Sequence, residues 1–227
     1  MGRLVIFDWD GTLIDSAARI IECMQRAAEA EAMPALEAEA VRNIIGLGLP
    51  EALQVLYPGI KERDVERMRL RYSSFFLAED QLPSPLFPGV ETGLRRLAEH
   101  GFRLAVATGK SRRGLDRAFQ ETGLGELFSD SRCADETRSK PDPHMLKELV
   151  DVFAVDPVDA VMVGDTEYDL EMAANAGMPS VGVSYGAHSV DRLQRHKPVM
   201  VVDRFEQLEA WLRASDNGVW ASQGEMM

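Results

Sequence analysis

The chain has 227 residues, 45% of them hydrophobic and 27% charged, with 37 acidic and 25 basic side chains for a net charge of −12. That balance excludes intrinsic disorder, and the length suits one globular unit or one unit carrying a smaller insert. The acidic excess argues against non-specific binding to nucleic acid or an anionic membrane surface, so an anionic ligand must be drawn in by a few local cations or a metal.

The first apolar run is Leu4–Phe7, which ends at Asp8 and is too short for a signal peptide. No later run reaches the ~18 residues of a membrane span. Four helical stretches follow it: Ser16–Glu31, with apolar Ile20, Ile21, Met24, Ala27 and Ala28 on one face, then Glu37–Ile45, Pro50–Tyr57 and Ile60–Leu77. The last is ended by Glu79-Asp80-Gln81, and three prolines in Leu82–Gly89 read as a stiff linker. From residue 86 onward strand and helix alternate. Strands are predicted at Phe102–Thr108, Ser129–Cys133, Ala160–Val163, Ser180–Val183 and Val199–Val202. Helices are predicted at Val90–Glu99, Arg112–Glu121, Pro143–Val152 and Tyr168–Ala176, three of them stopped by Gly101, Gly123 and Gly177. The nearly continuous apolar strands suit a parallel sheet covered by helices on both faces. The expected fold is thus a doubly wound, Rossmann-like α/β core, residues 1–14 and 86–214, with an all-helical insert at 15–85 and a tail at 215–227 that Trp220 could anchor. Cys23 and Cys133 stand far apart with no Cys/His cluster near them, which fits buried thiols in a reducing, cytoplasmic setting rather than a disulfide framework or a zinc site.

Chemistry concentrates where strands end, the place where open α/β sheets bind ligands. Asp8-Trp9-Asp10-Gly11-Thr12-Leu13 sets two carboxylates one residue apart beyond the first strand, able to share a divalent cation, with Gly11 permitting a sharp bend. Thr108-Gly109 ends the second strand with a hydroxyl and a flexible N–H, suited to a phosphoryl oxygen or to capping a helix. Lys140-Pro141 places a cation at a rigid helix start. Asp165 and Asp169 lie four apart where the fourth strand becomes a helix, so one helical face can carry both. They could equally answer the helix dipole. Lys110, Arg112 and Arg113 could draw anions to the mouth or simply be solvated, and Tyr185-Gly186 with His188 could edge the pocket.

With these four motifs in order, the chain resembles the haloacid dehalogenase superfamily of phosphohydrolases from about residue 3 to 212. The insert and its Gly46-Leu47-Gly48-Leu49-Pro50 segment are most similar to the phosphoglycolate phosphatase-like branch. The resemblance implies that Asp8 is a nucleophile forming an aspartyl-phosphate and that Asp10 is general acid, then general base. It implies Mg²⁺ held by the Asp8 carboxylate, the Asp10 carbonyl and Asp165, with Asp169 binding through water or orienting the site. Thr108, Gly109 and Lys140 would hold the phosphoryl oxygens. Arg42, beside the glycine segment of the insert, would meet the far end of a small phosphorylated metabolite, or else be a solvated helix arginine. Dehalogenases of this superfamily lack the second acid, so Asp10 points to phosphate ester hydrolysis. Phosphoglycolate is the expected substrate. A sugar phosphate, a nucleoside monophosphate or pyrophosphate is the alternative, with a non-catalytic binding protein more remote. A monomer and a dimer both fit.

Overall fold

A computed structural model describes residues 3–78 and 83–214. The predicted end of the fourth insert helix at Glu79-Asp80-Gln81 and the tail with Trp220 lie outside the described residues. Six strands, β1 (Leu4–Phe7), β2 (Arg103–Thr108), β3 (Phe128–Cys133), β4 (Ala160–Gly164), β5 (Ser180–Val183) and β6 (Met200–Val202), form one sheet in the order β3-β2-β1-β4-β5-β6. Every pairing is parallel. The expected α/β class therefore holds, and the first strand in the chain lies at the centre of the sheet.

The side-chain alternation of the strands divides the core in two. Val5 and Phe7 of β1, with Val161 and Val163 of β4, face one cluster. Helices α5 (Val90–Glu99), α6 (Arg112–Thr122) and α10 (Phe205–Ala214) close it. Leu4 and Ile6, with Ala160 and Met162, face the other, closed by α7 (His144–Phe153) and α8 (Glu167–Ala176). Two helices are absent from the sequence prediction, α9 (Val190–Gln194) and α10.

Residues between β1 and α5 build a third cluster of their own from α1 (Ala17–Ala30), α2 (Ala38–Arg42), α3 (Leu49–Leu56) and α4 (Glu62–Phe76). Ile20, Met24, Val41, Leu53 and Met68 are its buried centre. The chain leaves and re-enters the sheet side by side. Ile14 bridges Leu86, the Asp15 N–H donates to the Pro85 carbonyl at 2.8 Å, and the Phe87 N–H donates to the Leu13 carbonyl at 3.1 Å. No helix of the described residues is long and apolar enough to cross a membrane.

Candidate active site

The Asp8 N–H still donates to the Val163 carbonyl at 2.9 Å, so the parallel ladder carries its carboxylate to the edge of the sheet before the chain turns. The turn depends on Gly11. Its φ is +83°, and a Cβ there would lie 2.2 Å from Asp165 Oδ2. Trp9 points the other way and packs edge-on against Phe119 with ring centroids 5.2 Å apart. Asp165, at the end of β4, is held on both oxygens: Oδ1 accepts from the Thr12 hydroxyl at 2.9 Å, and Oδ2 from the Ala187 N–H at 2.7 Å. Asp169 uses Oδ2 in the capping box of α8, accepting from the Thr166 N–H and hydroxyl at 3.0 and 2.7 Å.

These turns gather charge in a dry place. Asp8, Asp165 and Asp169 are all buried and offer oxygens within 4.8 Å of one another. Lys140 is fully buried between two of them, its Nζ 2.7 Å from Asp8 Oδ1 and 2.6 Å from Asp169 Oδ1. Burial pushes the Asp8 carboxyl well above the usual carboxylate range, against the pull of the Lys140 ammonium. Burial and the Asp169 charge raise Asp165 to about 7, opposed by its two hydrogen-bond donors. For Lys140 burial acts downward, but the Asp169 and Asp8 carboxylates outweigh it and raise its pKa. One ammonium thus faces three carboxylates, and Asp8 Oδ2 is buried without a hydrogen-bond partner. An all-oxygen set with an excess of negative charge and an unpaired carboxylate oxygen fits a hard divalent cation.

Asp10 stands apart from this cluster. Its Oδ1 accepts from the Ser16 hydroxyl at 2.6 Å, and Lys110 Nζ lies 3.0 Å from its Oδ2. Thr108 is buried, with Oγ1 accepting from the Lys110 N–H at 3.2 Å. Gly109 is required by space: a Cβ would sit 2.5 Å from the Leu47 carbonyl oxygen of the insert. Above Asp8 and Asp10 lies a cavity of about 200 Å³. Its upper wall is largely apolar, with Ile20, Met24, Ile45, Tyr72 and Phe76 from the insert, and Arg69 of α4 is its insert arginine.

Arg42 is not among the residues that line this cavity. Helix α2 ends at that residue, and the side chain lies beside Glu39 at 3.9 Å, half-buried. Lys110 departs from the solvated alternative, being drawn into the cavity wall against Asp10. Arg112, by contrast, pairs with Glu136 at 2.8 Å and with Asp116, away from the cavity. Tyr185 donates to the Thr12 carbonyl at 3.1 Å, and Gly186 backs Asp165. His188 lies under the insert: Nδ1 accepts from the Glu167 N–H at 3.1 Å, which leaves Nε2–H to face the Asn43 carbonyl at 3.2 Å. Burial holds its pKa below the ordinary histidine value. The same carbonyl accepts from Tyr168 at 2.9 Å, and Arg192 donates to the Asn43 side chain at 2.7 Å, so three core residues grip one insert residue. Ser16 and the Ala187 N–H are among the contributors that sequence reasoning did not single out. A serine at a helix start and a loop N–H carry no signal of their own in a sequence.

A parallel sheet whose central strand delivers a buried carboxylate to an acidic cluster beneath a helical insert defines a class of α/β hydrolase. A profile of the haloacid dehalogenase-like hydrolase family matches residues 5–183, and the chain belongs to that family. It is 35% identical over 212 residues to a Dickeya dadantii protein named "Probable phosphatase IndB", covering 92% of each chain. It is 29% identical over 215 residues to the phosphoglycolate phosphatase of Vibrio vulnificus, covering 91% of this chain and 94% of that one. The crystal structure of a hydrolase from Pseudomonas syringae superposes with a TM-score of 0.84 at 21% identity, over 93% of this chain and 98% of that one.

Proposed function

We propose that this enzyme is a Mg²⁺-dependent phosphatase that hydrolyses a small phosphate monoester through an aspartyl-phosphate on Asp8. The observation that carries this reading is the Asp8 carboxylate at the floor of the cavity, buried, beside one ammonium and two further carboxylates, with Oδ2 unpaired. In the first step a carboxylate oxygen of Asp8 attacks phosphorus while the bond to the ester oxygen breaks. Asp10 gives that oxygen its proton, and the alcohol leaves. In the second step Asp10 takes a proton from water, the water oxygen attacks the same phosphorus, and the Asp8–phosphorus bond breaks to release phosphate. Lys140, Thr108 and the Gly109 N–H hold the phosphoryl oxygens throughout. The Asp8 carboxylate, the Asp10 backbone carbonyl and Asp165, with Asp169 behind them, would hold Mg²⁺, which would supply the positive charge that lets one anion approach another.

Residues 15–85 act as a cap that opens for exchange and closes over Asp8 to exclude water. The naming of relatives at 28–30% identity supports phosphoglycolate as the first substrate to test, with sugar phosphates, nucleoside monophosphates and pyrophosphate next. A cytoplasmic enzyme meeting soluble metabolites agrees with the free, buried Cys23 and Cys133. The test is Asp8→Asn assayed on a panel of phosphorylated metabolites with Mg²⁺ and with EDTA. The variant should lose turnover while folding normally, because an amide cannot attack phosphorus, and wild type should lose turnover in EDTA. Turnover of Asp8→Asn within tenfold of wild type would overturn the mechanism, and full wild-type activity after exhaustive chelation would overturn the metal.

A further inference from the structure

Both carboxylate oxygens of Asp10 are engaged, one by Ser16 and the other by Lys110. The two contacts differ in kind. Ser16 is buried where the chain enters α1 and is not part of the cavity wall. Lys110 lines the cavity on a flexible stem, with its side chain only 10% exposed. Its Nζ also lies over the ring of Phe76, the last residue of α4 in the insert, 4.5 Å from the centroid. That ring is fixed from the insert side. The Arg19 guanidinium lies over it at 4.6 Å, Arg19 also donates to the Phe76 carbonyl, and Tyr72 stacks on it at 5.5 Å. Lys110 thus touches Asp10, the cavity and the insert together.

We propose that Lys110 is a positioning residue for Asp10, seated by Phe76 of the insert, and that it holds the Asp10 Oδ2 oxygen until an ester enters. The inference rests on the proposed acid–base role of Asp10. A phosphate ester arriving in the cavity meets the Lys110 ammonium from the open side, and its oxyanion competes for Nζ. As Nζ turns to the ester, Oδ2 is released for proton exchange while Ser16 keeps the carboxyl in place. Because Phe76 belongs to the insert, Lys110 is seated against Asp10 only when the insert is down, so the release of Oδ2 by an arriving ester is tied to closure.

The test compares phenyl phosphate with 4-nitrophenyl phosphate. The two esters have nearly the same shape, but nitrophenolate departs without a proton whereas phenolate needs one. Lys110→Met removes the charge and keeps the stem. It is expected to lower the burst rate of phenol release at least tenfold more than the burst rate of nitrophenolate release, with KM for the two esters changed alike. Lys110→Arg should restore most of the difference. Phe76→Leu, which leaves Lys110 intact, should produce the same leaving-group bias in weaker form, and carries the test if Lys110→Met fails to fold. Equal losses on both esters, or no loss on either, would overturn the inference while leaving the phosphatase reading intact. A wild-type enzyme that turns over neither ester, nor any of the phosphorylated metabolites, would overturn the phosphatase reading and this inference with it.

Discussion

Replacing Lys140 by Met isolates the charge balance of the site. The ammonium lies within 2.7 Å of two buried carboxylates, and no other cation contacts them among the described residues. Removing one partner of a buried ionic cluster costs about 3–5 kcal/mol, because the remaining charge stays desolvated. At roughly 2–4 °C per kcal/mol for a chain of this size, the midpoint of melting should fall by about 6–20 °C. The sign of the pH dependence follows from the raised pKa values of Asp8 and Asp165. A buried acid whose folded pKa is raised binds protons that the unfolded chain has released, so stability is full below the ordinary carboxylate value and falls as pH rises through the folded one. Loss of the ammonium pushes those pKa values higher still, so the deficit of the variant should be large near pH 8 and small near pH 5. The assay is thermal melting by circular dichroism in EDTA at both pH values, then with Mg²⁺ added, which should recover part of the loss. A deficit of equal size at both pH values would show that Lys140 acts by packing. An unchanged midpoint would refute the electrostatic account altogether.

Gly11→Ala should cost about 1–3 kcal/mol in thermal melts from the positive φ alone, and should lower kcat at least tenfold because its Cβ would displace Asp165. Arg69→Ala is expected to reduce kcat/KM for a carboxylated phosphate ester by about tenfold, the scale of a charged hydrogen bond. Arg42→Ala should leave it within about threefold; steady-state kinetics on the two variants distinguishes the arginines. The depressed pKa of His188 means that its contribution is present above the unfolded histidine value near 6.5 and is lost as pH falls through the folded one. The stability difference between wild type and His188→Phe should therefore shrink on acidification, and a pH-independent difference would refute that sign.

The sheet was legible because its strands are apolar runs of the length that a two-sided parallel sheet requires, and the acids stand out at their ends. Asp8, Lys140, Asp165 and Asp169 come together because each follows the carboxyl end of a strand or opens the next helix. What was illegible lies in the insert and at its contacts. Arg42 and Arg69 both sit on amphipathic helices, and which one meets the cavity depends on how α2 and α4 pack, an angle no periodicity encodes. Helix α2 is also short, and its five residues give the pattern little to register. Lys110 reads in sequence like any lysine after a strand. It packs under Phe76, 34 positions away in the chain and on another element. Helix α10 was readable in principle, since Phe205, Leu208, Trp211 and Leu212 repeat at helical spacing and are all buried.

The central position of β1 bears on how the chain is made. Leu4–Phe7 emerges from the ribosome before the other five strands, yet its neighbours in the sheet are Arg103–Val106 and Ala160–Val163. At about 5–20 residues per second of synthesis, this apolar segment waits roughly 5–20 s for its first partner and longer for its second. The helical insert lies in that interval, and its buried centre, from Ile20 to Met68, draws on nearby chain. The insert can therefore collapse while translation continues, whereas the sheet must form late. A burst of aggregation during fast overexpression would then trace to a stranded Leu-Val-Ile-Phe, and slower translation between residues 8 and 160 would lengthen that exposure rather than relieve it.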